Sequence, residues 1–80
     1  MNRDEIFKEL DEIFKDIFDD DSISVNEETT SNDIEEWDSL EHINLIVAIE
    51  QKFGIKLTME EVITMKNVGN MADIIMEKRR

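Results

Sequence analysis

The stretch Glu36-Trp37-Asp38-Ser39-Leu40, with the apolar run from Ile43 to Phe53 that follows it, decides the fold of this chain. Asp38 followed three residues later by Glu41 is a variant of the capping box, in which two side chains satisfy backbone N–H groups at a helix start. We therefore predict a helix with Ser39 as its first residue, where the aligned peptide dipoles act as roughly half a positive charge. A hydroxyl at that position suits a bound phosphate.

The N-terminal segment predicts another helix, because its apolar residues recur at the spacing of one helical face. Asn2 with Glu5 three residues later has the pattern of an N-terminal cap. We expect this helix to end near Phe18, since the aspartates that follow place negative charge at its negative pole. The apolar face consists of Ile6, Leu10, Ile13, Phe14 and Ile17.

Residues 19–37 show no sustained helical period, and their polar cluster predicts a long loop. Loops of this length in compact domains are usually functional or held down by their own apolar residues. A short helical turn at residues 33–36 remains an alternative. The candidate anchors of the loop are Ile23, Val25, Ile34 and Trp37.

The C-terminal half predicts two further helices. Gly54 has the position of a left-handed cap after the helix that starts at Ser39. Thr58 with Glu61 repeats the capping-box pattern and predicts a short helix over residues 59–64. Asn67 is the expected cap of the last helix, which Gly69 weakens slightly. We predict an all-α fold, a small four-helix bundle with a long first loop and one short helix, as a single domain over residues 1–80. The second long helix should bury Leu45, Ile46, Ile49 and Phe53.

Composition limits the possible partners. The chain has 80 residues and a formal net charge of −12, so it repels nucleic acid and anionic membranes and favours basic protein surfaces. It has no cysteine, which excludes disulfides and thiolate metal sites built from side chains. No apolar run approaches the roughly 20 residues of a membrane span, and no signal peptide is apparent. We expect a cytoplasmic monomer.

The sequence from Ile6 to Met76 resembles the acyl carrier proteins. The resemblance rests on Asp38-Ser39-Leu40 and on the apolar helix that ends at Phe53-Gly54. It implies that Ser39 carries 4'-phosphopantetheine as a phosphodiester, with Asp38 and Leu40 completing the attachment motif. The terminal thiol of this arm would hold acyl groups as thioesters, so the protein would be a shuttle and not an enzyme. The resemblance further implies that a separate phosphopantetheinyl transferase attaches the arm.

In that family, the helix after the modified serine is the surface that acyl-transfer and synthase enzymes read, through acidic residues that meet basic docking patches. Glu41 and Glu50 are acidic residues of this kind, whereas Asn44, Ala48 and Gln51 are not acidic. With Trp37 before the motif, the sequence looks more like the discrete carriers of specialised pathways than those of bulk fatty acid synthesis. The predicted partner-binding residues are Trp37, Glu41, Asn44, Ala48, Glu50 and Gln51. The candidates to shelter an acyl chain between helices are Leu45, Ile46, Ile49, Val62 and Ile74.

Alternatives to an acyl carrier remain open from the residues alone. The chain could be an acidic helical interaction module without enzymatic activity, with Ser39 serving only the helix start, or an aminoacyl or peptidyl carrier. A hydrolase would need Ser39, His42 and Asp38 to act as nucleophile, base and orienting group. We expect instead that His42 is a solvated helix residue or lies near the arm.

A calcium site is not expected. An EF-hand loop that began at Asp19 would need an oxygen ligand at its fifth position, glycine at the sixth and glutamate at the twelfth. The residues at these positions are Ile23, Ser24 and Thr30. We therefore predict no dedicated metal site, with weak binding of divalent ions by the dense negative charge left open as an alternative.

Overall fold

The computed structural model describes residues 2–79 as four α-helices joined by loops. The helices are α1 (Arg3–Ile17), α2 (Ser39–Phe53), α3 (Met59–Thr64) and α4 (Val68–Lys78). This part of the chain contains no strand, and the all-α prediction is confirmed. Residues 31–36 form turns and a bend without a helix, and the alternative of a helical turn at 33–36 is reduced to one turn in which the Trp37 N–H donates to the Ile34 carbonyl at 3.1 Å. No helix within residues 2–79 has the length and apolar composition needed to cross a membrane.

The helix starts follow from their capping side chains. In α1, the Asn2 side chain accepts a hydrogen bond from the Glu5 N–H and Glu5 Oε1 accepts one from the Asn2 N–H, both at 2.9 Å. Thr58 and Glu61 form the same reciprocal pair at the start of α3. These two starts agree with the sequence predictions.

The predicted capping box at the start of α2 is only half correct. Asp38 Oδ1 accepts a hydrogen bond from the Glu41 N–H at 2.8 Å, but the Glu41 side chain accepts from Asn44 Nδ2 at 2.7 Å and does not return to Asp38. The reason lies in the loop, because the Asp38 N–H already donates to the Glu36 carbonyl at 3.0 Å. Glu41 therefore has no unpaired N–H to cap.

The core forms where α1 packs against both α2 and α4. All four residues of α2 that were predicted to face inward are buried, and Gly54 takes the predicted left-handed conformation, with φ 64° and ψ 41°. Ile17 and Ile74 are only half-buried. Burial of these apolar side chains supplies the main driving force for folding. The largest fully buried side chains are Phe14, Ile6, Leu10, Leu45, Ile49, Met71, Ile75 and Val68.

The long loop between α1 and α2 is held down by the residues that the sequence suggested. Val25, Ile34 and Trp37 are buried, and Ile23 is half-buried. Thr29 is also buried, which the sequence did not predict, and its carbonyl accepts a 2.9 Å hydrogen bond from the Val68 N–H. The loop is thereby attached to the start of α4.

Gly69 has a more specific role than the slight weakening of α4 predicted from its helix propensity. Its N–H donates to the Glu27 carbonyl at 3.0 Å, and a Cβ at this position would lie 2.7 Å from the same oxygen. The close approach of α4 to the loop therefore requires glycine. Arg3 reinforces the junction, because its guanidinium donates to the Glu27 and Asp73 carboxylates and to the Gly69 carbonyl.

Candidate functional site

Ser39 is exposed and is the first residue of the 15-residue helix α2. Asp38, the preceding residue, has extended backbone geometry and caps the helix through the Glu41 N–H. The Asp38 carbonyl also accepts the first hydrogen bond of the helix, from the His42 N–H at 2.9 Å. The hydroxyl-bearing residue is thus fixed at the positive end of a helix while remaining open to solvent.

Trp37 fixes the loop on the other side of this helix start. Its indole ring packs edge-on against Phe14 of α1, with ring centroids 5.2 Å apart and planes at 77°. Its Nε1–H donates a 3.1 Å hydrogen bond to Nδ1 of His42, and the Trp37 and His42 rings are stacked at 5.9 Å. The expected packing role of Trp37 agrees with these contacts. Trp37 is only 8% exposed, so it offers little surface to a partner.

His42 is less solvated than the first of the two expectations for it, and the second, a place near the arm, stays a prediction, with His42 lining the same groove as Ser39. It is half-buried and its Nδ1 accepts the hydrogen bond from Trp37, so the neutral ring carries its proton on Nε2. The Asp38 carboxylate bonds the Glu41 backbone, and no bond joins Asp38 to the imidazole in the described part of the chain. The hydrogen bonds that a Ser-His-Asp relay requires are therefore not formed in this arrangement.

A groove of about 520 Å³ lies beside Ser39. One part of its wall is apolar, from Ile43 of α2 and from α3 and the residue after it. Of the five residues predicted to shelter an acyl chain, Val62 lines this groove, whereas Leu45, Ile46 and Ile49 are packed in the core. The lining residues are Ser31, Trp37, Asp38, Ser39, His42, Ile43, Val62, Ile63, Met65 and Lys66.

The predicted partner-binding residues of α2 are less available than the sequence suggested. Glu41 is half-buried and bonds Asn44, and Glu50 is half-buried because its Oε2 accepts a 2.9 Å hydrogen bond from the Leu57 N–H. Ala48 is also half-buried and packs against the core. Only Asn44 and Gln51 of the six are exposed.

A stripe of apolar side chains on α2 was missed by the sequence reasoning. Leu40 is 67% exposed, Ile43 58% and Val47 46%. Their spacing of three and four residues places them on one face of the helix, beginning immediately after Ser39. This spacing could have been read from the sequence, because α2 is apolar on a second face besides the core face that was predicted correctly. We call Leu40, Ile43 and Val47 the outer stripe.

Acidic side chains line a second groove, of about 680 Å³, on the long loop. Its carboxylates include Asp20, whose pKa is lowered by hydrogen bonds from the Ser22 hydroxyl and N–H. No group of three or more histidine, cysteine, aspartate or glutamate side chains within residues 2–79 is arranged to hold a metal ion.

Comparison with known proteins identifies the family. The family model for the phosphopantetheine attachment site matches residues 8–75. The chain is 33% identical over 78 residues to the acyl carrier protein of Petrotoga mobilis, covering 98% of this chain and 92% of that protein. It is 35% identical over 81 aligned positions to the acyl carrier protein of Coprothermobacter proteolyticus, covering 94% and 92%.

Solved structures agree with the sequence relatives. The solution structure of holo acyl carrier protein from Geobacter metallireducens has a TM-score of 0.85 and 47% identity, covering 90% of this chain and 83% of that one. The crystal structure of acyl carrier protein from Thermotoga maritima has a TM-score of 0.83 and 27% identity, covering 98% and 91%. The chain therefore belongs to the acyl carrier proteins, non-enzymatic carriers that hold acyl groups on 4'-phosphopantetheine and interact with a phosphopantetheinyl transferase and with synthase or acyl-transfer enzymes.

Proposed function

We propose that Ser39 is the residue to which 4'-phosphopantetheine is attached. The observation that carries the proposal is the exposure of Ser39 at the first residue of a capped helix, inside the region matched by the phosphopantetheine-attachment model. The site fits the group, because Ser39 is exposed and is itself a lining residue of the groove beside it. Asp38 contributes by holding the helix start, and Leu40 follows as the first residue of the outer stripe.

The chain itself supplies the acceptor but not the base for this attachment. Transfer from coenzyme A forms a bond between Ser39 Oγ and phosphorus, breaks the bond to the nucleotide portion and releases the hydroxyl proton. Asp38 and His42 are engaged with Glu41 and Trp37, so we assign the base to the transferase. Once attached, the arm supplies the thiol that holds the acyl group as a thioester. The apolar wall of the groove, which includes Val62, is suited to contact the carried group.

We further propose that partner enzymes dock on α2 around Ser39. The net charge of −12 supports basic patches on the partner, acting at long range. The partner makes its close contacts with the outer stripe and with Asn44 and Gln51 beside it. Glu41 and Glu50 are less available, because their side chains are hydrogen-bonded within the chain. Because Asn44, Ala48 and Gln51 of α2 are not acidic, we assign the chain to a specialised acyl-transfer pathway. We propose that residues 1–80 form a single monomeric carrier domain in the cytoplasm.

Loading of the purified chain tests the assignment of Ser39. The apo protein is incubated with coenzyme A and a broad-specificity phosphopantetheinyl transferase, and its intact mass is measured. We expect the mass of one phosphopantetheine group to be added to the wild type and to Ser31→Ala, and none to Ser39→Ala. Ser31 is the matched control because it is an exposed serine that lines the same groove. Added mass in Ser39→Ala, or none in the wild type, would refute the assignment.

A second experiment separates the carrier from a simple interaction module. Asp38, and not Ser39, is the cap of α2, so Ser39→Ala should leave the melting temperature almost unchanged. A carrier nevertheless loses all acyl loading in this variant. If Ser39→Ala kept its full biological activity in a complementation assay, the interaction module would be the better description.

A further inference from the structure

Lys66 is an exposed cation without an ion-pair partner within residues 2–79. Lys8, Lys15 and Lys56 also have no ion pair within residues 2–79, whereas Arg3, Lys52 and Lys78 each pair with carboxylates, so Lys66 is distinguished by its position. Lys66 lines the same groove as Ser39. Its surroundings therefore include the residue proposed to receive the arm.

The main chain at Lys66 is firmly held although its side chain is exposed. The preceding residue, Met65, is 8% exposed and packs in the core. The Lys66 N–H donates a 3.2 Å hydrogen bond to Oδ1 of Asn70 in α4. The side chain thus extends from a fixed point on the groove wall, which reduces the entropy that an ion pair would cost.

The charge balance of the groove changes when the arm is attached. Asp38 is its one carboxylate, and a phosphodiester on Ser39 adds a second negative charge beside it. Nδ1 of His42 is occupied by the hydrogen bond from Trp37 Nε1–H. Lys66 is the one lining residue that is positively charged. Charges within the roughly 8 Å screening length of physiological salt interact appreciably even when exposed.

We propose that Lys66 is the counter-ion of the arm's phosphodiester and holds the proximal end of the arm along the groove wall formed by the end of α3. The inference rests on the proposed attachment at Ser39 and assigns a positioning role to a residue outside the attachment motif. Lys66 does not act in the transfer chemistry. Its effect belongs to the loaded form and should be absent from the apo form.

A comparison of apo and holo forms tests this role. The proteins are the wild type, Lys66→Met, Lys66→Arg and the control Lys56→Met, each with its loading verified by intact mass. Lys56 is the matched control, because it is exposed, has no ion pair within residues 2–79 and lines a different groove, beside Val47. Methionine keeps the unbranched side chain and removes the charge.

The measured quantity is the melting temperature of the holo form minus that of the apo form. We expect Lys66→Met to lower this difference by about 1–8 °C relative to the wild type, the range set by one exposed ion pair in a domain of this size. Lys56→Met should leave the difference unchanged, and Lys66→Arg should restore it. The effect should fade at about 1 M salt, where the screening length is about 3 Å.

The phosphorus resonance of the holo protein gives a readout that stability does not. We expect the ³¹P signal of the phosphodiester to shift in Lys66→Met and to keep its position in Lys56→Met. The inference would be overturned if the proteins gained the mass of the arm but Lys66→Met and Lys56→Met gave the same melting-temperature difference and the same ³¹P position. That result would leave the proposed function intact. Absence of added mass in the wild type would overturn both.

Discussion

The indole Nε1–H of Trp37 donates a hydrogen bond to Nδ1 of His42 at 3.1 Å, across the start of α2. One partner belongs to the long loop and is packed on Phe14, and the other lies in the first turn of the helix. The bond therefore joins both sides of the helix start. Asp38 and Ser39 lie between them, so this contact helps to fix the direction in which an arm would leave the protein.

Replacing His42 tests the contribution of this bond. His42→Ala removes the acceptor and leaves the N–H of a largely buried indole unpaired, which should cost about 1 kcal/mol of unfolding free energy. We expect the melting temperature to fall by roughly 4–8 °C and the indole N–H proton resonance of Trp37, the single tryptophan, to move. Gln51→Ala, an exposed change on the same helix, is the control. An unmoved indole resonance would contradict the assigned bond.

The two glycines should respond to substitution for different reasons. Gly69→Ala introduces a Cβ 2.7 Å from the Glu27 carbonyl. We expect a net loss of stability in urea denaturation, because overpacking costs about 1–3 kcal/mol and the gain in helix propensity is at most about 1 kcal/mol. Gly54 has open space around it and needs only its positive φ, which asparagine also adopts. Gly54→Asn should therefore be milder than Gly69→Ala, and the reverse order would refute the close-contact explanation.

The Arg3–Glu27 ion pair should make stability depend on pH in a defined direction. The hydrogen bond from Arg3 holds the pKa of Glu27 below its usual 4.5, and the same contact raises the pKa of Arg3. A lowered folded-state pKa means that the contribution is complete above pH 4.5 and disappears as pH falls through the folded-state value. The contribution is small, because both side chains are partly exposed.

Glu27→Gln isolates this contribution from the general relief of charge repulsion in acid. We expect a lower melting temperature than the wild type at pH 7 and a difference that shrinks to nothing as the pH falls below the folded-state pKa of Glu27. Glu28→Gln, the neighbouring exposed carboxylate, is the control for the loss of one charge. A difference in melting temperature between Glu27→Gln and the wild type that stayed the same in acid would show that the ion pair is not its cause.

The outer stripe should affect docking without affecting stability. Leu40→Ser and Ile43→Ser change side chains that are 67% and 58% exposed, so the melting temperature should stay close to the wild-type value. We expect kcat/KM for phosphopantetheine loading to fall about fivefold to tenfold, the loss of roughly 1 kcal/mol that a central interface residue contributes. Met59→Ser, which alters an equally exposed apolar residue on α3, tests whether the effect is specific to α2. Unchanged loading of Leu40→Ser would exclude the stripe from this interface.

The helices could be predicted closely because their signals are local. Caps at Asn2, Asp38, Thr58 and Asn67 act within three residues, and the left-handed Gly54 follows from its position after an apolar run. The motif around Ser39 could be recognised for the same reason, since the start of a helix depends only on residues close in sequence. The buried face of α2 was also predicted correctly, as Leu45, Ile46, Ile49 and Phe53, whereas the exposure of the outer stripe was not.

The sequence by itself determined the four helices, their order, the acidic character of the chain and the serine at the start of α2. Only the tertiary structure decided that Glu41 and Glu50 are engaged while Leu40, Ile43 and Val47 face solvent, that His42 is bound by Trp37, and that Gly69 meets Glu27. The physical reason is range. Capping and helical periodicity depend on residues three or four positions apart, whereas the direction of a face and the close approach of a loop depend on segments that meet only after the chain has packed.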